Sequence, residues 1–215
     1  MNMPEMTKHT SFDIQEFINR VRDFHGYAAP GVIIGGFMVH LAKTQMPAGV
    51  LFDAISETPA CLPDAIQLLT PCTVGNGWLK IVNFGRFALS LYEKYCGNGV
   101  RVFLDPVKLE KWPEIKAWFF KLKSRTEQNA EEILAQIIDA GTELYGVHPV
   151  QLKPEFLKKR DKGKIIICKS CSEAYPSKDG DICLACQGHS PYIMFGDLTE
   201  KADKKNPSGF TKDLY

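Results

Sequence analysis

No apolar run in this chain approaches the ~20 residues that a membrane-spanning helix needs. Its first residues, MNMPEMTKHT, contain no apolar segment, so no secretory signal is expected there. Charge of one sign is scarce as well. Twenty-six Lys and Arg stand against 25 Asp and Glu, a formal net charge of +1. Such a balance supplies no broad field for nucleic acid or an anionic membrane, so neither is expected as a partner. The sequence has no internal repeat and no low-complexity segment. The glycine-rich run GVIIGG at 31–36 lacks the Lys-Ser/Thr of a phosphate-binding loop and does not follow a strand. Close helix packing is its expected role. What remains is ordinary globular composition, 45% hydrophobic and 24% charged over 215 residues. That is room for one core domain and a small module.

The chain does hold cysteine, seven in all. An odd number, with four of them in paired C-x-x-C units, fits metal binding in a reducing cytoplasm better than disulfides. Cys168-Lys-Ser-Cys171 and Cys183-Leu-Ala-Cys186 are separated by eleven residues, 172–182. Two such turns supply four thiolates to one tetrahedral ion, and thiolate softness selects zinc. All four positions are filled by protein, so one structural zinc per chain is expected. A redox use would call for a single C-x-x-C in a βαβ setting, which is absent. His189 has the wrong spacing to replace a cysteine.

Helical spacing of Ile14, Phe17, Ile18, Val21 and Phe24, after a capping box at Thr10 and Asp13, predicts a helix over 11–24. Pro30-Gly31 opens a second, from Val32 to about Thr44. Alternation at Val50–Ile55 predicts a strand, DAIQLL a short helix stopped by Pro71. The runs Trp78–Phe84, Phe87–Glu93 and Val100–Leu104, joined by tight turns, predict an antiparallel meander. Helices are expected from Pro113 and over about Thr126–Leu144. The aromatic run Trp112–Phe120 reads as a core or dimer face. This order argues for an α+β fold, helices on an antiparallel or mixed sheet, with a small treble-clef or zinc-ribbon module. The expected division is a core over 1–157 and a zinc module with tail over 158–215. Residues 151–164 serve as a basic linker, and the tail past about Ser190 is loose or folded on a partner.

Reactive groups concentrate in FDAISETPACLPDAIQLLTPCTVGNG, residues 52–77. Cys61 precedes a helix, where its thiolate would be stabilised. Asp64 is either a first-turn acid or an orienter of His25, and Glu57 closes a strand as a supporting acid. Cys72 follows a proline in a turn, and Cys96 reads as structural. One arrangement of these residues is a nucleophile, Cys61, with His25 as base and Asp64 as orienter. Another leaves them as packing residues.

FHG-x3-PG at 24–31, E-x3-C-x2-DAIQ at 57–67, PCTVGNG at 71–77 and GVRV at 99–102 together resemble the E component of formylmethanofuran dehydrogenase (FmdE) and its stand-alone relatives. The similarity runs through most of residues 12–125, and the terminal C-x2-C pairs match the zinc finger of some members. The resemblance implies an α+β core, a homodimer, a C-terminal treble-clef finger and a pocket built from His25, Cys61, Asp64, Gln67 and Cys72. It also implies an accessory, metal-binding role related to one-carbon metabolism and methanogenesis, with a small-molecule ligand or an enzyme-complex partner. The family's first motif reads H-G-H-x-C-P-G. Here Tyr27 and Ala29 stand at the second histidine and the cysteine, so a second metal in the core is left open. The sequence shows no molybdopterin or iron–sulfur pattern, so formylmethanofuran oxidation by this chain alone is not expected. A zinc-finger adaptor for protein or nucleic acid is a third reading.

Overall fold

A computed structural model describes residues 12–158, 161 and 163–192. Thr10 and nearly all of the expected loose tail lie outside the described residues. The chain divides into two compact units after Lys158.

The first unit lays helices on a five-stranded sheet of order β2-β1-β3-β4-β5. Helix α1, Ile14–His25, starts at Asp13, whose carboxylate accepts from the Glu16 N–H at 3.0 Å. This single acid caps the helix. Helix α2, Pro30–Gln45, is buried from Gly31 through Val39. A helix apolar all round belongs inside a core, and α2 touches α1, Leu62–Leu69 (α3) and Ala130–Ala140 (α5), as well as the sheet.

Strand β1, Phe52–Ser56, pairs in parallel with β2, Leu79–Ile81 (Ala54 opposite Leu79), and α3 is the crossover between them. On its other side β1 runs antiparallel to β3, Ala88–Glu93 (Ala54 opposite Leu91). Strand β4, Asn98–Leu104, continues antiparallel to β3. The sheet is therefore mixed, and the expected meander from Trp78 is corrected in one place: β2 does not pair with β3. After Ile81 the chain wraps the end of β1, with the Val82 N–H on Ser56 O at 2.9 Å and the Phe84 N–H on Glu57 O at 3.0 Å. That detour removes β2 from β3's edge.

A further strand, β5, Tyr145–Gln151, pairs with β4 at the sheet edge. The sequence pattern does not announce it and instead suggests that α5 runs on to Leu144. Asn129 caps α5, accepting from the Glu131 and Glu132 N–H groups, and the helix ends at Gly141. Helix α4 covers Pro113–Phe119 and α6 Pro154–Leu157, so the expected linker begins with a strand end and a helical turn. Along β4, Val100, Val102 and Leu104 are buried while Arg101 and Phe103 are half-buried. Alternation sends the first three to the helices and the other two to the opposite face.

The second unit contains a hairpin of β6, Ile165–Ile167, and β7, Ala174–Pro176. Among its described residues only Cys168 and Tyr175 are buried.

Candidate functional site

The carboxyl end of β1 leads into the turn that carries Cys61. Ser56 Oγ donates to Thr58 O at 2.6 Å, and Thr58 Oγ1 accepts from the Ala60 N–H at 3.2 Å. The Leu62 N–H then reaches back to Ala60 O at 2.6 Å. This closes a three-residue turn around Cys61, which takes φ 60° and ψ −51°. A side-chain-bearing residue in that region costs on the order of 1–3 kcal/mol, and such strain persists where the surroundings enforce it.

The enforcement comes from α2. A Cβ at Gly31 would lie 2.7 Å from Cys61 Sγ, and one at Gly35 would lie 2.7 Å from Ala65 Cβ. Positions 31 and 35 of α2 thus form a bare stripe that receives positions 61 and 65, one turn apart on each element. The glycine run serves close packing, and it seats the Cys61 sulfur on the first turn of α2.

Next to it, His25 ends α1 and Asp64 occupies the first turn of α3. His25 Nδ1 and Asp64 Oδ2 are 2.6 Å apart, with side chains 23% and 29% exposed, so both are anchored and both reach solvent. In the neutral tautomer that donates Nδ1–H to this carboxylate, Nε2 keeps a lone pair for a ligand. Tyr27, at the position of the family's second histidine, is exposed with its ring 5.3 Å from that of His25.

Two expectations need correction. Burial pushes the Cys61 thiol up from its ordinary value, and the Asp64 charge adds to it. The expected thiolate stabilisation at the start of α3 is outweighed, and a protonated thiol is a poor nucleophile. Cys72 does not join this cluster. It is fully buried, with Sγ 3.5 Å from Phe52 O, at the opposite end of β1 from Cys61. Burial raises its thiol too. Gln67 accepts from the Val74 N–H at 3.2 Å and ties down the PCTVGNG loop. A cavity of about 290 Å³ lies near Cys72's end, lined in part by Phe52, Pro71, Trp78 and Lys94; neither His25 nor Cys61 lines it.

Glu57 is more than a supporting acid. It is 5% exposed and accepts from Arg101 Nε at 2.6 Å and Nη2 at 2.9 Å. Arg86 Nε is 2.8 Å from the same carboxylate. Burial alone would raise the Glu57 carboxyl, but the hydrogen bonds and charge of Arg101, joined by Arg86, hold it below its ordinary value. Sequence reasoning missed Arg86 and Arg101. The signal was present in GVRVFL, where a lone arginine interrupts an apolar alternation.

In the second unit the Sγ atoms of Cys168, Cys171, Cys183 and Cys186 all lie within 4.8 Å of one another. Cys171 Sγ and Cys183 Sγ are 3.7 Å apart. With a Zn–S bond of about 2.3 Å, the edge of a regular ZnS4 tetrahedron is about 3.8 Å. The donor set and its spacing therefore fit zinc. The Cys171 and Cys183 N–H groups pull the Cys168 thiol down to about 6. Among the described residues this is the one convergent group of three or more metal-ligating side chains. The core presents no such cluster there, and a second metal is not adopted.

Comparison with known proteins agrees with this division. Residues 24–152 match the profile described as "FmdE, Molybdenum formylmethanofuran dehydrogenase operon", and residues 159–193 match the FmdE treble clef zinc finger. The chain belongs to the FmdE family. It is 53% identical to a tungsten formylmethanofuran dehydrogenase FmdE-like protein from Syntrophus aciditrophicus, whose crystal structure superposes with a TM-score of 0.78. That likeness covers 87% of this chain and 100% of the other. A protein of Archaeoglobus fulgidus named "Probable S-adenosyl-L-methionine-binding protein" is 28% identical over 207 residues, 86% of this chain. The chain spans 56% of that relative's length. No helix among the described residues is long and apolar enough to cross a membrane.

Proposed function

We propose that this chain is an FmdE-type accessory protein that binds a small polar molecule at His25, Asp64 and Cys61, with one structural zinc in its four-cysteine unit. The observation that carries the core reading is the 2.6 Å His25–Asp64 pair, an anchored imidazole and carboxylate that are both partly exposed. A strained cysteine beside it is the kind of backbone outlier that ligand sites retain. The name of the Archaeoglobus relative supports a small-molecule ligand, and S-adenosyl-L-methionine is the first compound to try. Hydrolysis or transfer through a Cys61 thiolate is not part of this reading, because the thiol is held protonated.

The homodimer and the enzyme-complex partner belong to the same proposal. Phe24, Tyr27, Phe120 and Leu122 are exposed and offer apolar surface for such contacts. Cysteines without disulfides fit a reducing compartment, which supports a cytoplasmic role.

The test is equilibrium dialysis of S-adenosyl-L-methionine, together with His25 side-chain NMR, on wild type, His25→Ala and Cys61→Ser. Saturable binding that shifts Nε2 and is lost in His25→Ala supports the site. Equal binding in all three proteins, or an Nε2 resonance that responds to nothing in a panel of small polar metabolites, rejects it.

A further inference from the structure

Glu57 holds more positive charge than it needs. Arg101 alone engages it through two N–H donors, at 2.6 and 2.9 Å, the side-on geometry that satisfies a carboxylate. Arg86 is a second guanidinium on the same oxygens, 2.8 Å away through Nε. Two cations and one anion, 2 − 1, leave a net charge of +1 within this three-residue cluster.

The second guanidinium is held in a particular way. Nε approaches Glu57 to 2.8 Å, and neither Nη1 nor Nη2 donates a hydrogen bond to a described residue. The Arg86 side chain is 59% exposed, while Glu57's is 7% exposed. Phe84 lies under the guanidinium, with its ring centre 4.9 Å from Arg86 Cζ. The backbone on either side is pinned: the Phe84 N–H bonds Glu57 O at 3.0 Å, and the Ala88 N–H bonds Arg86 O at 2.9 Å. An arginine fixed at Nε, backed by an aromatic face and open at both Nη groups has already lost part of its rotamer freedom. Its planar fork is pre-organised for a two-oxygen anion.

We infer that Arg86 is the recognition residue of an oxyanion site, taking a ligand carboxylate or phosphate through its Nη pair while Glu57 and Phe84 hold it in place. This site goes beyond the His25–Asp64–Cys61 reading and does not rest on it.

The experiment uses the full zinc-loaded chain with labelled arginine side chains. Sodium acetate and inorganic phosphate are titrated separately, with chloride keeping ionic strength constant so that general screening cancels. The signals of Arg86 are those missing from the Arg86→Gln spectrum. The expected result is a saturable shift of the Arg86 signals, absent in Arg86→Gln. In Arg86→Lys, which keeps charge but loses the fork, affinity falls by roughly tenfold. Thermal unfolding of both variants verifies that they fold, as an exposed side chain allows. A response to acetate alone marks a carboxylate site, and one to phosphate alone a phosphate site; either supports the inference. No saturable shift with either anion, or an equal effect in Arg86→Lys, overturns it. His25→Ala should leave the titration unchanged, so failure here is separable from failure of the core pocket.

Discussion

In the first unit, helix α2 is buried on all sides from Gly31 to Val39, and the sheet beneath it repeats that pattern at Val100, Val102 and Leu104. In the second unit, among the described residues, only Cys168 and Tyr175 are buried, and the three isoleucines of β6 are exposed. One region is held by apolar packing distributed over many side chains. The other concentrates its cohesion in four sulfurs. A segment this short cannot build a core large enough to offset its ordering entropy, so the difference is forced by size. Loss of a single contact should therefore be graded in the first unit and all-or-none in the second.

Metal removal gives the largest expected effect. Binding energies of structural zinc in small modules are about 10–16 kcal/mol near neutral pH, and nearly all of it is folding energy. A strong chelator should abolish amide protection over residues 163–192 and leave protection of α2 and β1–β4 intact. Hydrogen exchange with mass spectrometry reads both regions at once. Retained protection in the second unit without metal would break the comparison.

The next effect lies inside the packed unit, where one ionic cluster interrupts apolar packing. Glu57→Gln leaves Arg101 and Arg86 without their shared charge, and breaking a buried pair costs about 3–5 kcal/mol. The sign of the pH dependence follows from the lowered carboxyl. A folded pKa below the unfolded one contributes stability that is fully present above the unfolded value of 4.5 and is lost as pH falls through the folded value. Urea midpoints measured from neutral pH downward should therefore converge for wild type and Glu57→Gln. Parallel curves would show that Glu57 is not the group responsible.

Sequence periodicity carries apolar packing well and ionic packing poorly, and the elements show why. The α1 and α2 cores were legible because Phe17, Ile18, Val21 and the 31–42 run repeat at helical spacing. The four-cysteine group was legible because ligand spacing is local. Strand β5 was not: Gly146, His148 and Pro149 break any apolar alternation, and their strand character comes from pairing with β4 across the fold. The Glu57–Arg101 pair joins residues 44 positions apart, and no local pattern reports a charge partner at that distance. Strand β2 misled for a similar reason. Its parallel partner is chosen by the α3 crossover, while its own composition suits a meander equally well.

A smaller effect probes the contact between α2 and α3. Gly31→Ala brings a methyl to 2.7 Å from Cys61 Sγ, so the strained turn must shift. Overpacking of this kind costs about 1–3 kcal/mol. Cys61→Gly removes the sulfur and also suits the positive φ, so most of that cost should vanish in the double variant. A double-mutant cycle from thermal unfolding measures the coupling. Additive effects would mean that Gly31 does not set the position of Cys61.

The smallest expected change tests what a single neutral hydrogen bond contributes within the packed unit. Tyr145 is 2% exposed, and its hydroxyl donates to Ile34 O in α2 at 3.2 Å. Tyr145→Phe keeps the buried ring and removes one neutral hydrogen bond, at a cost of about 1 kcal/mol. The Ile34 carbonyl retains its helical partner, so no buried acceptor is orphaned. Burial raises the Tyr145 phenol above its ordinary value of 10.0. Its contribution is thus complete below the unfolded value and is lost as pH climbs through the folded one. Tyr145→Phe should be slightly less stable than wild type at neutral pH and should lose stability less steeply in alkali. If wild type and variant unfold together across the whole range, the hydroxyl contributes nothing, and the cohesion of α2 with β5 is apolar throughout.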